Sequence, residues 1–386
     1  MKNSGLLFFI SLLFTTQPFA QRYSFKNYTT NDGLVQTDIT DIKQDKKGAI
    51  WIGTAGGISV FDGKEFTNYD DHDLLQSLRI NALLCDSAGT MWIATRNGLL
   101  CYRNSFTIFF KPSLTQSNVV SCLAADTKNR LLFVCNDTLY QVRGNKAEKF
   151  RISKNIDNNV AMVAFDRDDQ LWIVTADLKI FRKNGSVITA IRTPFRAVEK
   201  KLGLAILRVL GKEGPEPCFV TNFGAFQVVN DSLQYFAQQY PKYRNARIGP
   251  ATYLLEENDS TVWVGGVAGL AKLSGSSHSR YTTENGFCDN SVSCLFTDRE
   301  KNLWVGCTYN GVYKLSNEAL FHLRPDSPSF DLRHVSETVS LSANKTLIGT
   351  WGKGLYVYNG DSVTKVALPT YLRYISALLP VGSYTY

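Results

Sequence analysis

Four short stretches of this chain set aromatic, amide and basic side chains side by side: Arg96-Asn97, Asn222-Phe223, Tyr309-Asn310 and the neighbourhood of Trp351 and Lys353. Aromatic faces stack on the apolar face of a sugar ring, while amides and bases hydrogen-bond its hydroxyls. These eight residues are therefore the candidate ligand-binding set, and the ligand they suit is a small molecule or an oligosaccharide. Bond-making chemistry has no comparable signal. The phosphate loop G-x-x-x-x-G-K-[ST], the zinc-protease H-E-x-x-H and the hydrolase G-x-S-x-G are all absent. His72, His278, His322 and His334 are scattered, and no C-x-x-C occurs. No catalytic residue, metal site or cofactor is expected.

The elements that must position these residues come from a repeat. A large apolar landmark recurs at Trp51, Trp92, Phe133, Trp172, Phe219, Trp263, Trp304 and Leu347, with a period near 42 residues. Six or seven positions upstream lies an acid: Asp45, Asp86, Asp126, Asp166, Glu213, Glu257 and Asp298. A fixed period of this length means an array of one supersecondary unit. Each copy reads as four short strands. In the first copy these are Ile39–Ile42, an Asp45-x-x-Gly48 turn, Ile50–Gly53, Gly57–Phe61, and Glu65–Tyr69 after an Asp62-Gly63 turn. Period-2 alternation, aromatic and β-branched enrichment and regular turns argue strand over helix. The expected fold is all-β: a β-propeller of four-stranded blades, seven to the ring, with the start of a second propeller. The recurring Trp residues are read as packing between blades. A carboxylate repeated in nearly every blade is read as structural, because an active site needs one copy. The functional candidates are thus the residues that differ between copies, on the turns between second and third strands, which converge on the ring axis.

Residues 1–20 join Lys2, the apolar run Leu6–Phe14 and Pro18-Phe-Ala20, the pattern of a secretory signal peptide. The mature chain is expected to be periplasmic or extracellular. Residues 21–325 are assigned to a first propeller of blades 1–7, and 326–386 to an eighth blade and the beginning of a ninth. Tyr23–Tyr28 aligns with the fourth strand of a blade, so it is expected to complete the last blade and close the ring, removing its exposed edge. Tyr374–Leu379 reads as the first strand of a ninth blade, and the chain stops about where its second strand should begin, the pattern of the front part of a longer protein.

The net charge of +8 falls to +7 without residues 1–20, and no run of five bases occurs. A nucleic-acid surface would need a clustered basic stripe, so none is expected. The eight cysteines are dispersed over separate blades. Buried free thiols are expected rather than disulfides or a metal site.

The string D-x-x-G-x-[IM]-W-[IV]-[GA]-T-x-x-G-[IL], from Asp45 to Ile58 and from Asp86 to Leu99, resembles the two-component regulator propeller repeat. Copies 3, 4 and 5 depart from it: Asn129 and Asp169 replace the turn glycine, and Phe219-Val-Thr-Asn222 replaces the Trp-x-Gly-Thr step. The resemblance implies the extracytoplasmic sensor region of a histidine kinase or hybrid two-component protein. Relatives commonly precede a β-sandwich, a membrane helix and a kinase, and many sense polysaccharide-derived oligosaccharides, often through paired seven-bladed propellers. The expected partners are an oligosaccharide ligand, C-terminal signalling domains and a second copy of the chain. Without kinase motifs this chain should bind or transmit, and not phosphorylate. Two other classes stand beside this one. A secreted propeller enzyme acting on glycans predicts a carboxylate pair with arginines at the channel mouth. A protein-docking scaffold predicts a contiguous exposed apolar patch.

Overall fold

The computed structural model describes residues 25–69, 79–111, 118–154, 156–194, 206–210, 218–221, 224–235, 251–258, 261–274, 277–283, 287, 291–316, 335–342, 345–358, 363–369, 372–378, 380–381 and 384–385. It divides into two compact units, Ser24–Leu320 and a second that contains Phe321–Tyr386.

The first unit holds seven antiparallel four-stranded sheets. Blade 1 comprises Ile39–Gln44, Ile50–Thr54, Gly57–Phe61 and Phe66–Tyr69. Blade 2 comprises Ile80–Cys85, Met91–Thr95, Gly98–Tyr102 and Phe106–Phe110. Blades 3 to 6 repeat this order from Val120, Val160, Ile206 and Ala251. In blade 7 the strands Val292–Thr297, Leu303–Cys307 and Val312–Leu315 are completed by Phe25–Tyr28 from the other end of the unit. Tyr28 pairs with Val312 and Phe25 with Leu315, so the closure expected from Tyr23–Tyr28 is the observed one. The first strand of each blade packs against the first strand of the next, and that of blade 7 packs against that of blade 1. These contacts close a seven-membered ring, and the fold is the propeller the repeat predicts.

The core lies between blade faces. Trp51 and Ile58 of blade 1 pack with Ile80, Met91 and Phe106 of blade 2. Trp92 and Leu99 of blade 2 meet Phe133 of blade 3, and Trp172 of blade 4 meets Phe219 and Phe226 of blade 5. Each such side chain buried from water contributes about 2–3 kcal/mol.

The acid six residues upstream of each described Trp landmark binds that indole. Asp45 Oδ1 accepts from the backbone of Lys47 and Ala49, and its Oδ2 accepts the Trp51 indole N–H at 3.0 Å. Asp86 with Trp92, Asp166 with Trp172, Glu257 with Trp263 and Asp298 with Trp304 repeat that indole bond, each at 2.8 Å. The turn and the buried ring are thus one unit, and the acid-to-Trp spacing of six residues is what brings them together.

That spacing corrects the register in two blades. Thr54 pairs with Ile39 in blade 1, and the matching pairs are Cys135 with Val120 and Thr221 with Ile206. Leu132 and Cys218 therefore occupy the Trp position, and Phe133 and Phe219 lie one residue beyond it. A slip of one residue moves a strand side chain to the other face, so the larger side chain was the wrong landmark there. With no indole at 132, Asp126 accepts from Arg130 Nε at 3.0 Å. The departures at Asn129 and Asp169 conserve backbone shape, since both adopt positive φ, 62° and 57°. Asn and Asp tolerate this left-handed conformation best after Gly. Each also adds a bond a glycine lacks: Asn129 Oδ1 accepts from Ser87 N and Asp169 Oδ1 from Thr127 N, both at 2.9 Å to the preceding blade.

Seven cysteines lie in the described residues, none in a disulfide and none exposed; Cys288 lies outside them. Burial pushes the Cys135 thiol up to about 11, and burial first, then Asp86 and Asp45, raises Cys85. A raised thiol pKa leaves little thiolate at pH 8. Native protein is expected to react with a thiol-specific disulfide reagent at Cys135 only after denaturant is added. Rapid stoichiometric labelling of Cys135 in the folded state would contradict this.

The second unit contains an eighth four-stranded sheet of Val335–Ser342, Lys345–Thr350, Gly354–Tyr358 and Val363–Lys365. The segment around Ile375 meets this sheet as the next first strand meets a blade of the ring. A Cβ on Gly349 would lie 2.6 Å from Ile375 Cγ2, as one on Gly53 would lie 2.8 Å from Ile80 Cγ2. Leu378 N donates to Glu337 Oε2 at 2.9 Å, as Leu83 N donates to Asp41 Oδ2 at 2.8 Å. Tyr374 forms an isolated bridge with Trp351 and no strand. No helix among the described residues is long and apolar enough to cross a membrane.

Candidate functional site

The ring's axial face is built by a bulge at one point in every first strand. In blade 1 Ile39 pairs with Thr54 and Asp41 with Gly53, so Thr40 is the extra residue. The same step leaves out Asn81, Ser121, Ala161 and Ser293 in blades 2, 3, 4 and 7. A bulge re-aims its side chain and bends the strand. Several of these residues reach the adjoining blade: Asn81 Nδ2 donates to Val120 O at 2.8 Å and Ser121 Oγ to Ala161 O at 3.4 Å.

A cavity of about 460 Å³ opens here, lined by residues of blades 1, 2, 3 and 7. Ile39, Ile80 and Val119 supply apolar wall, while Thr40, Asn81, Ser121, Ser293 and Thr308 supply hydroxyl and amide groups. Its charged residues are Asp38, Arg79 and Arg96. Arg79 Nη1 donates to Asp38 Oδ2 at 3.1 Å, tying the links that enter blades 1 and 2.

The candidate residues divide into four groups. Arg96 lines the cavity. Asn97, Tyr309 and Asn310 lie on second-to-third turns of the same ring but not in the cavity lining; Tyr309 is 72% exposed. Asn222 and Phe223 lie outside the described residues. Trp351 and Lys353 belong to the second unit. There Trp351, 58% exposed, packs edge-on against Tyr374 with ring centroids 5.8 Å apart.

Arg96 is presented from a fixed turn. Thr95 Oγ1 donates to Gly98 O at 2.8 Å and accepts from Asn97 N at 3.0 Å. Gly98 has φ of 122°, and a Cβ there would lie 2.4 Å from Phe110 O, so only glycine fits. The corresponding turn of blade 4 carries Asp177 and Lys179, paired at 2.7 Å. The hydrogen bond from Lys179, then that from Thr175, holds the Asp177 carboxyl down to about 2.

Sequence reasoning missed Asp38, Arg79, Asn81, Ser121, Ser293 and Thr308. A signal was present: Ile39-Thr, Ile80-Asn, Val120-Ser, Ala251-Thr, Val292-Ser and Val335-Ser put a small polar residue at the same point of six first strands.

Residues 33–56, 74–97 and 286–309 match the Two component regulator propeller family. Over 69 residues the chain is 38% identical to Histidine kinase P4 of Formosa agariphila, covering 17% of this chain and 5% of that protein. The extracellular domain of a hybrid two component system from B. thetaiotaomicron superposes with a TM-score of 0.62 at 18% identity, covering 92% of this chain and 50% of that one. A second such domain from the same organism gives 0.61 at 17%, covering 87% and 45%. The chain thus spans about half the length of these two structures. Virginiamycin B lyase from Staphylococcus aureus gives 0.57 at 13% identity, covering 76% of this chain and 99% of that one. At these identities the likeness establishes a shared propeller fold, which enzymes and extracellular domains both use.

Proposed function

We propose that this chain is the extracytoplasmic ligand-sensing propeller of a two-component signalling protein, exported by residues 1–20 and responsive to an oligosaccharide. The observation that carries the reading is the axial cavity, where positions that repeat in structure differ in chemistry. Thr40, Asn81, Ser121 and Ser293 share one bulge, yet with Arg96 and Thr308 they make a single asymmetric polar lining over an apolar wall. Hydroxyls and amides over aliphatic surface are what a sugar ring needs. The repeat match and the similarity to a histidine kinase support the signalling context. Domains outside this sequence and a second copy of the chain would carry the signal onward. Among the described lining residues Asp38 is the one carboxylate, and it is ion-paired with Arg79, which favours binding over glycoside cleavage.

The test is isothermal titration of the full chain against a panel of oligosaccharides. At least one member is expected to bind, and Ser121→Trp, which places an indole in the cavity, is expected to abolish that binding with the melting temperature unchanged. Binding that survives Ser121→Trp, or release of reducing ends from the bound glycan, would overturn the reading.

A further inference from the structure

Resting on the reading of the axial cavity as the ligand site, we propose that the cavity selects an acidic sugar, one bearing a carboxylate such as a uronic acid, and that Arg96 receives that group. The charges around the lining decide the sign. Asp38 is taken up by Arg79 at 3.1 Å, so this pair presents little net charge. Arg96 is exposed, and no ion pair joins it to a described acid. Among the described lining residues this leaves one guanidinium with no ion pair, at a concave, partly apolar wall.

That placement favours an anion for two reasons. A cleft with low-dielectric walls focuses the field of a single charge. A guanidinium also offers parallel N–H donors that match a carboxylate in two-point contact, a stronger bond than any neutral pair. The turn that carries Arg96 is pinned by Thr95 and Gly98, so little backbone ordering is needed on binding. The sugar's hydroxyls then fall to Asn81, Ser121, Ser293 and Thr308, and its apolar face to Ile39, Ile80 and Val119. The Asp38 carboxylate disfavours a second acid at its own side of the cavity, which fits a ligand with one acidic group near Arg96 and neutral hydroxyls elsewhere.

The experiment titrates wild type, Arg96→Gln and Ser121→Trp with matched pairs of oligosaccharides: oligogalacturonates and glucuronate-containing oligomers beside their methyl-esterified, uncharged forms. Arg96 is exposed, so its replacement is expected to leave the melting temperature unaltered. The expected result is that wild type binds an acidic member at least tenfold more tightly than its ester. Arg96→Gln should weaken the acidic member by roughly tenfold to a hundredfold and the ester little. Raising sodium chloride should weaken the acidic member alone. If esters bind as well as acids and Arg96→Gln changes neither, while Ser121→Trp abolishes both, the acidic class is wrong and the sensing cavity stands. If no glycan binds wild type, or Ser121→Trp leaves binding intact, the sensing reading itself falls and takes this proposal with it.

Discussion

Replacing Tyr28 by alanine is expected to destabilise the ring by about 3–5 kcal/mol, the range for emptying a buried aromatic site. Tyr28 is 6% exposed and ends the strand that closes blade 7. Its ring stacks on Trp304 at 6.0 Å and meets Phe61 at 5.2 Å and Phe66 at 5.5 Å, so one side chain joins blade 7 to blade 1. Loss of this contact acts at the seam where the circle is completed by pairing alone. The melting temperature should fall by roughly 5–10 °C. Removing Phe25–Tyr28 altogether should do more, because Val312–Leu315 then becomes an open sheet edge. Open edges pair with other chains, so concentration-dependent association is expected by light scattering. An unchanged melting curve for Tyr28→Ala, with a monomeric deletion variant, would show that the seam holds by other means.

Gly306→Val should lower stability by about 1–3 kcal/mol or more through overpacking, seen as an earlier denaturant midpoint. A Cβ at 306 would lie 2.5 Å from Cys294 Sγ and 2.7 Å from Ile39 Cγ2. Cys294 and Ile39 are both fully buried and have nowhere to retreat. Local preference points the other way, since valine is a far better strand former than glycine. The sign of the change therefore separates packing from propensity. Blades 3 and 4 hold valine at the matching positions, Val134 paired with Cys122 and Val174 paired with Met162, each just after the same first-strand bulge. Valine is thus compatible with the strand itself, and its cost at 306 comes from Cys294 on the paired strand of the same blade and from Ile39 of blade 1. A midpoint that rises on Gly306→Val would refute the account.

The architecture was open to reading because it is written eight times. Period, strand patterning and turn chemistry each recur, and the fourth-strand likeness of Tyr23–Tyr28 was enough to foresee the closure. What failed was single-copy information. Phe133 and Phe219 drew attention as the largest side chains, while pairing fixed Leu132 and Cys218 at the equivalent point. The indole bonds joined two features read separately, the acid and the Trp. Of the described candidate residues Arg96 alone lines the cavity, and its turn could be located from glycine and strand pattern. Asp38 and Arg79 sit on links with no periodic mark, and Asn81 and Ser121 reach the axis through bulges, which shift side chains without altering composition.

The strand that closes the ring also sets an order of events. Phe25–Tyr28 is among the first parts of the unit to be synthesised, and its partner Val312–Leu315 is among the last. Six blades can assemble from neighbours close in sequence as the chain emerges, each adding to an open stack. The seventh cannot be finished until almost three hundred further residues have followed Phe25–Tyr28, a contact of very long sequence separation and correspondingly slow formation. Until then the growing molecule is a curved array with two raw ends, and a chaperone or a second nascent chain that captures either end competes directly with circularisation.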